Sequence, residues 1–116
     1  MEASLDVLKS MDIPGKRFAV LGGMRELGTF AAAEHQRCGR KIAACADYLY
    51  CYGDGAEDYR LGAVEAGMRD ENIHILHSHE GIAGALKRAA KPGDALLFKG
   101  SRYWKMEKAL ELFREK

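Results

Sequence analysis

Apolar and polar residues alternate along this chain in blocks that predict four strands separated by helices. Short apolar runs predict strands over 18–21, 73–76 and 95–98, and an alternating pattern predicts another over 47–52. Apolar residues spaced three and four apart predict helices over 4–11, 29–46, 56–68, 78–90 and from about 103 onward. This alternation predicts an α/β fold with a Rossmann-like, mostly parallel sheet, helices on both faces and right-handed crossovers.

Each helix is expected to bury the face on which its apolar residues recur. The predicted inner residues are Leu5, Leu8 and Met11; Ala31, His35, Cys38, Ile42 and Cys45; Leu61, Val64 and Met68; Ile82, Ala85, Leu86 and Ala89; and Met106, Ala109, Leu110 and Phe113. Tyr48, Tyr50 and Tyr52 share one face of the second strand, where packing in a core or an interface is the expected role.

Composition narrows the class of protein further. The 116 residues suffice for one core and are too few for two, so we expect a single domain over 1–116. A net charge of +1 and the lack of any apolar run near ~20 residues argue against a nucleic-acid surface and a membrane span. The spacing of the three cysteines does not match a disulfide framework, and the first residues lack a signal-peptide pattern. We therefore expect reduced thiols in a cytoplasmic protein.

The segment Lys99-Gly100-Ser101-Arg102 stands where the last predicted strand ends and the last helix begins. Open α/β sheets bind ligands at this place, outside the carboxyl ends of their strands. Glycine permits close approach of the backbone, serine offers a hydroxyl, and Lys99 and Arg102 add positive charge beside the helix's positive pole. The pattern indicates a carboxylate or phosphate site, with a solvated loop and plain helix cap as the alternative. Trp104 either lines this site or lies at a junction between domains.

A second glycine-rich segment, Gly22-Gly23-Met24-Arg25-Glu26-Leu27-Gly28, follows the first predicted strand. Its glycines do not fit the dinucleotide fingerprint G-x-G-x-x-G, and the chain contains no G-x-x-x-x-G-K-[ST] phosphate loop. We therefore expect that the chain does not bind and split a nucleotide unaided. The acidic pair of a phosphoacceptor receiver domain and the Ser/Thr-rich loop of a flavodoxin are also missing after this strand.

Histidines and cysteines raise the question of a metal site. His35 and Cys38 lie one helical turn apart, but the apolar stripe around them favours helix packing. His74, His77 and His79 are close in sequence without cysteine or carboxylate partners at zinc spacing. We predict no metal site in this chain.

Taken in order, these segments form a series that resembles the carboxy-terminal domain of the Mur ligases. The series is Val20-Leu21-Gly22-Gly23-Met24-Arg25-Glu26-Leu27-Gly28, then His35, then Lys91-Pro92-Gly93-Asp94, then Lys99-Gly100-Ser101-Arg102 with Met106-Glu107. The family shows V-L-G-D-M-x-E-L-G, a histidine in the next helix, P-G-D before the last strand, and K-G-S-R with M-E after it. Order and spacing agree along nearly the whole chain. The likeness is greatest to the branch that adds D-alanyl-D-alanine to the UDP-muramoyl tripeptide.

The resemblance implies one part of a three-domain enzyme of peptidoglycan synthesis. In these ligases one domain holds the UDP-sugar, a central ATPase domain uses ATP and Mg²⁺, and a Rossmann-like last domain closes over it. The D-alanyl-D-alanine amine attacks an acyl phosphate made from ATP and the tripeptide carboxyl. The implied partners are thus the central ATPase domain, D-alanyl-D-alanine and UDP-MurNAc-tripeptide, with no nucleic acid or membrane. The chain corresponds to the last domain, so we expect it to be inactive and without tightly bound cofactor when isolated.

The same resemblance implies roles for two sets of residues. The segment facing the dipeptide carboxylate matches Lys99, Gly100, Ser101 and Arg102, where Arg102 suits a bidentate fork. The segment on the nucleotide side of the cleft matches Gly22, Gly23, Met24, Arg25 and Glu26. No catalytic residue is implied for this chain alone.

The sequence departs from the family pattern at Gly23, which stands where the family usually has aspartate. Any ribose, water or loop-ordering role of that carboxylate is therefore in doubt. This departure favours an alternative function, a stand-alone Rossmann-like module that binds a small anion or a partner without catalysis. An ATPase domain encoded in frame upstream would favour the ligase.

Overall fold

In the computed structural model, which describes residues 2–23, 28–100 and 105–114, four parallel strands form one sheet. The strands are β1 (Arg17–Gly22), β2 (Tyr48–Tyr52), β3 (Ile73–Leu76) and β4 (Ala95–Lys99); the helices are α1 (Glu2–Ser10), α2 (Ala31–Cys45), α3 (Ala56–Glu65), α4 (His79–Ala89) and α5 (Met106–Arg114). The order across the sheet is β3-β2-β1-β4, and each neighbouring pair is parallel. The predicted α/β class is confirmed, and each predicted strand agrees to within one residue at either end.

Helices cover both faces of the sheet. Successive residues of a strand point to opposite faces, so Ala19 and Leu21 of β1 join a buried cluster with α1, α2 and α3. Phe18 and Val20 point the other way and join a second cluster with α4 and α5. Because both of its faces are buried, β1 is a continuous apolar run rather than an alternating one.

The predicted inner faces of α2, α4 and α5 are confirmed by burial. The buried members are His35, Cys38, Ile42 and Cys45 in α2, Ile82 and Leu86 in α4, and Met106 and Ala109 in α5. Helix α4 begins after Ser78, whose Oγ accepts a hydrogen bond of 2.9 Å from the Gly81 N–H. No helix in the described ranges is long and apolar enough to cross a membrane.

The predicted inner faces of α1 and α3 need correction. In α1, Leu5 and Leu8 are buried as predicted, but Met11 lies beyond the helix end and is exposed. In α3 the prediction was wrong for Leu61 and Val64, which are 46% and 42% exposed. The buried residues of this helix are instead Ala56, Tyr59, Gly62 and Ala63. Met68 is buried as predicted, although it follows the helix.

The physical reason for the α3 error is a glycine contact between α2 and α3. A Cβ on Gly62 would lie 1.9 Å from the carbonyl oxygen of Gln36, and a Cβ on Gly39 would lie 2.2 Å from that of Tyr59. The two backbones therefore touch where neither residue has a side chain. This contact turns the small-residue side of α3 toward α2 and leaves its larger apolar residues at the surface.

Candidate functional site

The carboxyl ends of β1 and β4 form the topological switch point of the sheet, which we call the crevice. From β1 the chain continues to β2 and β3 on one side, whereas β4 lies on the other side of β1. The loop after β1 leads to α2 on one face of the sheet, and the segment after β4 leads to α5 on the opposite face. Open α/β sheets bind ligands where the connections diverge in this way.

The two glycine-containing segments predicted from the sequence meet at this crevice. Gly22 ends β1, and Gly100 follows β4 with a φ of +156°. A Cβ on Gly100 would lie 2.8 Å from Cα and 2.9 Å from N of Gly22. Only glycine at position 100 permits this backbone contact, so the close approach anticipated for this residue is made to a neighbouring strand.

The remaining predicted site residues divide into two groups. Lys99 is exposed at the end of β4, and Gly23 is buried directly after β1. Six residues lie outside the described part of the chain: Met24, Arg25, Glu26, Ser101, Arg102 and Trp104. Their assigned roles stay predictions.

A buried tyrosine supports the end of β1 from below. The Tyr59 hydroxyl of α3 donates a hydrogen bond of 3.1 Å to the carbonyl oxygen of Gly22. Burial raises the pKa of this hydroxyl, so it stays protonated and remains a donor at neutral pH. Next along the chain, the Gly23 N–H donates a 3.1 Å hydrogen bond to the carbonyl oxygen of Tyr52. Both contacts fix the backbone of Gly22 and Gly23, with which the second glycine-rich segment begins.

His35 packs against the tyrosine that supports the end of β1. Its side chain is 2% exposed, and its ring meets that of Tyr59 edge-on with centroids 4.8 Å apart. Its Nδ1 lies 2.5 Å from the carbonyl oxygen of Ala31, one turn earlier in α2. Gly55, with φ +91°, has no room for a side chain, because a Cβ there would lie 2.2 Å from Nε2 of His35. His35 therefore packs between α2 and the start of α3, as the helix-packing interpretation predicts.

Tyr59 is the residue of this arrangement that sequence analysis missed. The apolar stripe assigned to α3 placed its inner face at Leu61, Val64 and Met68. The signal that could have identified Tyr59 is its spacing from Gly62 and Ala63, three and four residues on, which forms a face of small residues. A face of that kind allows another helix to approach closely.

The other histidines make aromatic contacts rather than a metal cluster. The His74 ring packs on Tyr50 with centroids 4.6 Å apart, and the His79 ring packs on Tyr52 at 5.1 Å. Within residues 2–23, 28–100 and 105–114, no three His, Cys, Asp or Glu side chains are grouped so that they could hold a metal ion.

The doubly wound sheet, with glycine-lined strand ends at its switch point, places the chain in the Rossmann-like class of α/β domains. A comparison with known families is more specific. The family described as "Mur ligase, glutamate ligase domain" matches residues 1–102, and the chain belongs to this family.

Two curated relatives carry the same name, UDP-N-acetylmuramoyl-tripeptide–D-alanyl-D-alanine ligase. The protein from Synechocystis sp. is 41% identical over 103 residues, which cover 87% of this chain and 22% of the relative. The protein from Bacillus subtilis is 31% identical over 112 residues, which cover 96% of this chain and 24% of the relative.

Solved structures of similar fold are MurF ligases. The enzyme from Thermotoga maritima in complex with ADP gives a TM-score of 0.73 at 32% identity, over 95% of this chain and 24% of that one. A MurF structure from Acinetobacter baumannii gives a TM-score of 0.83 at 26% identity, over 100% of this chain and 25% of that one. The chain thus spans about a quarter of the length of the relatives that it matches.

Proposed function

We propose that this chain is the carboxy-terminal domain of an ATP-dependent ligase that joins D-alanyl-D-alanine to UDP-MurNAc-tripeptide. The observation that carries the proposal is the contact of Gly22 with Gly100 at the switch point of the sheet, in a chain that is 41% identical to a ligase of that name. The contact brings the segment assigned to the dipeptide next to the segment assigned to the nucleotide. A domain that closes over an acyl phosphate needs this adjacency, because the amine must reach the activated carboxyl.

The dipeptide side of the proposed site is residues 99–102. Lys99 is exposed at the mouth of the crevice, and the segment leads toward α5. We assign the dipeptide carboxylate to Arg102, whose guanidinium can bind both oxygens, with Ser101 adding one hydrogen bond. Gly100 has a structural role here, since it lets β4 reach the end of β1.

The nucleotide side is assigned to residues 22–26. The Gly23 N–H is already used by the carbonyl oxygen of Tyr52, so it is not a donor for a ligand phosphate. Direct contacts to a nucleotide would therefore come from Met24, Arg25 and Glu26 rather than from the first two glycines. The ADP complex of the Thermotoga maritima relative supports a nucleotide partner for the parent enzyme.

The proposed domain provides half of an active site. We assign the UDP-sugar contacts, the ATP phosphates and Mg²⁺ to other domains of the parent enzyme, and residues 1–116 to one closing domain. Its contribution is to position the dipeptide amine and to exclude water from the acyl phosphate when the domains close. We place this chemistry in the cytoplasm, which agrees with three cysteines that are all buried and unpaired.

A domain exchange tests this function directly. The segment of the Bacillus subtilis relative that matches this chain would be replaced by residues 1–116, and ATP-dependent amide formation would be measured with D-alanyl-D-alanine and UDP-MurNAc-tripeptide. We expect activity well above that of the relative lacking its last domain. In the chimera, Arg102→Ala should raise KM for the dipeptide by about tenfold to a hundredfold with a smaller change in kcat.

The matched control is Lys108→Ala, which removes an exposed cation of α5 and should leave both constants unchanged. A chimera that folds but forms no amide would contradict the ligase and favour the stand-alone binding module that Gly23 suggests. An unchanged KM in Arg102→Ala would contradict only the assignment of the carboxylate. The two failures are therefore distinguishable.

A further inference from the structure

A cavity on the α4 side of the sheet lies away from the crevice, near the amino ends of the strands. It has a volume of about 390 Å³ and its sheet wall consists of Phe18, Tyr48, Tyr50 and His74. These residues occupy the first to third positions of β1, β2 and β3, whereas the crevice lies at the carboxyl ends of β1 and β4. We call this cavity the aromatic groove. Its volume is in the range of small-molecule sites.

The aromatic groove exists because large rings face small side chains. Its helix wall is formed by Ala85, Arg88 and Ala89 of α4. The rings of Phe18 and Tyr48 pack with centroids 4.9 Å apart, so the sheet wall is a packed surface rather than loose side chains. Alanines at two successive inward positions of α4 do not fill the space above it.

Two polar groups in the groove have no protein partner in the described part of the chain. Tyr50 is 4% exposed, yet its hydroxyl makes no hydrogen bond to any described residue. Buried tyrosine hydroxyls normally have a partner. Arg88 is exposed at the groove and forms no ion pair with a described carboxylate.

Tyr50 interacts electrostatically with Tyr48 and with Arg88. Burial raises the pKa of Tyr50, the neighbouring Tyr48 raises it further, and the Arg88 guanidinium lowers it. Arg88 and two tyrosines, Tyr48 and Tyr50, thus line one cavity with a wall of aromatic rings. This combination is complementary to a negative charge carried on a flat apolar group.

We propose that the aromatic groove is a second binding site, for a small flat organic anion of the aryl-carboxylate class. The carboxylate binds Arg88 and accepts the hydrogen bond that the Tyr50 hydroxyl lacks. The ring lies between Tyr48 and the alanines of α4. This site is independent of the ligase assignment, because it shares no residue with the crevice.

Amide chemical shifts of the isotope-labelled chain, titrated with benzoate, test this site. Benzamide serves as the neutral analogue of the same shape. We expect saturable shifts at residues lining the aromatic groove, half-saturated at about millimolar benzoate, as is usual for so small a ligand. Benzamide should bind about tenfold more weakly, because it lacks the charge that Arg88 would pair with.

Three variants give the test its controls. Arg88→Gln should weaken benzoate to the level of benzamide, whereas Lys87→Gln, the exposed cation next to it on α4, should change nothing. Ala89→Leu should abolish binding by filling the groove. Shifts at the groove with this pattern support the proposal.

Three results would overturn the proposal. The first is no saturable shift at tens of millimolar benzoate. The second is equal binding of benzoate and benzamide, which would indicate an apolar hollow without an anion site. The third is equal loss in Arg88→Gln and Lys87→Gln, which would indicate diffuse attraction to positive charge.

Discussion

The two faces of the sheet are packed by different means. On the face covered by α1, α2 and α3, helices α2 and α3 meet backbone to backbone at Gly39 and Gly62. On the face covered by α4 and α5, rings from the strands meet alanines of α4, and a cavity of about 390 Å³ remains. The spacing between α2 and α3 is therefore set by main-chain contact, whereas the spacing between α4 and the sheet depends on side chains.

The two faces also differ in how they contact the crevice. The face covered by α1, α2 and α3, which we call the closely packed face, supports the crevice. Its Tyr59, in α3, donates a hydrogen bond to the carbonyl oxygen of Gly22. The face covered by α4 and α5, which we call the loosely packed face, has no such hydrogen bond to the crevice among the described residues. It contains the aromatic groove. The face with main-chain contact between helices is thus also the face that holds the end of β1. Free space lies where α4 has small side chains.

The largest effect is expected from a methyl group at the glycine contact. Gly62→Ala should lower the free energy of unfolding by about 3 kcal/mol, because the new Cβ would lie 1.9 Å from the carbonyl oxygen of Gln36. The matched change on the other face is Gly84→Ala in α4, where the nearest atom is Nη1 of Arg88 at 3.5 Å. It should raise the free energy of unfolding by about 0.5–1 kcal/mol. Urea unfolding measures both, and equal effects would contradict the difference between the faces.

A smaller effect is expected from removing the hydroxyl beneath the crevice. Tyr59→Phe should lower the free energy of unfolding by about 1–2 kcal/mol, because it leaves the carbonyl oxygen of Gly22 without this donor in a buried site. The amide signal of Gly23 should shift with it. The control on the other face is Tyr50→Phe. The hydroxyl of Tyr50 has no partner among the described residues, so its removal should change the free energy of unfolding by less than about 0.5 kcal/mol. A Tyr59→Phe protein with wild-type stability and an unshifted Gly23 amide would show that Tyr59 does not support the crevice.

The pH dependence of stability is expected to come partly from the closely packed face, which contains all three cysteines. Burial raises the pKa of Cys51 to about 12, and its Sγ lies 3.6 Å from the carbonyl oxygens of Ala56 and His74. A thiol in the unfolded chain has a pKa of about 8.5. Between these values the unfolded chain loses a proton that the folded chain keeps, so stability falls as pH rises.

Cys51→Ala should therefore show a shallower decline of the unfolding free energy above pH ~8.5. The slope reports the number of protons released on unfolding, and the variant should release up to about one fewer. Urea unfolding at several alkaline pH values measures the slope. The variant loses a buried thiol at every pH, so the slope is compared rather than the absolute stability. Identical slopes would mean that the Cys51 thiol ionises as readily in the folded protein as in the unfolded chain.

The smallest effect is expected on the outer side of α3. Leu61→Gln should change the free energy of unfolding by less than about 0.5 kcal/mol, because this side chain is 46% exposed. Ile42→Val, which removes one buried methyl group from α2 on the same face of the sheet, should cost about 1 kcal/mol. A larger loss of unfolding free energy for Leu61→Gln than for Ile42→Val would support the inner face of α3 that the apolar pattern predicted.

Most of the fold could be predicted because its signals are local. The strand over 73–76 and the buried face of α4 follow from short apolar runs and helical spacing, both contained within a few neighbouring residues. The two segments after β1 and β4 could also be named as candidates, since strand ends are where α/β sheets bind ligands. The contact between Gly22 and Gly100 could not, because it requires knowing that β1 and β4 are neighbours.

By itself, the sequence determined the alternation of strands and helices, the parallel α/β class and the series of motifs that marks the family. These properties depend on residue spacing and on turn signals. Only the tertiary structure decided which side of α3 is buried, that Tyr59 supports Gly22, and that the aromatic groove stays open. Each of these depends on distances between backbones far apart in the chain, such as Gly62 and Gln36. The hydrophobic pattern of α3 favoured the opposite side, and a backbone contact made possible by two glycines prevailed over it.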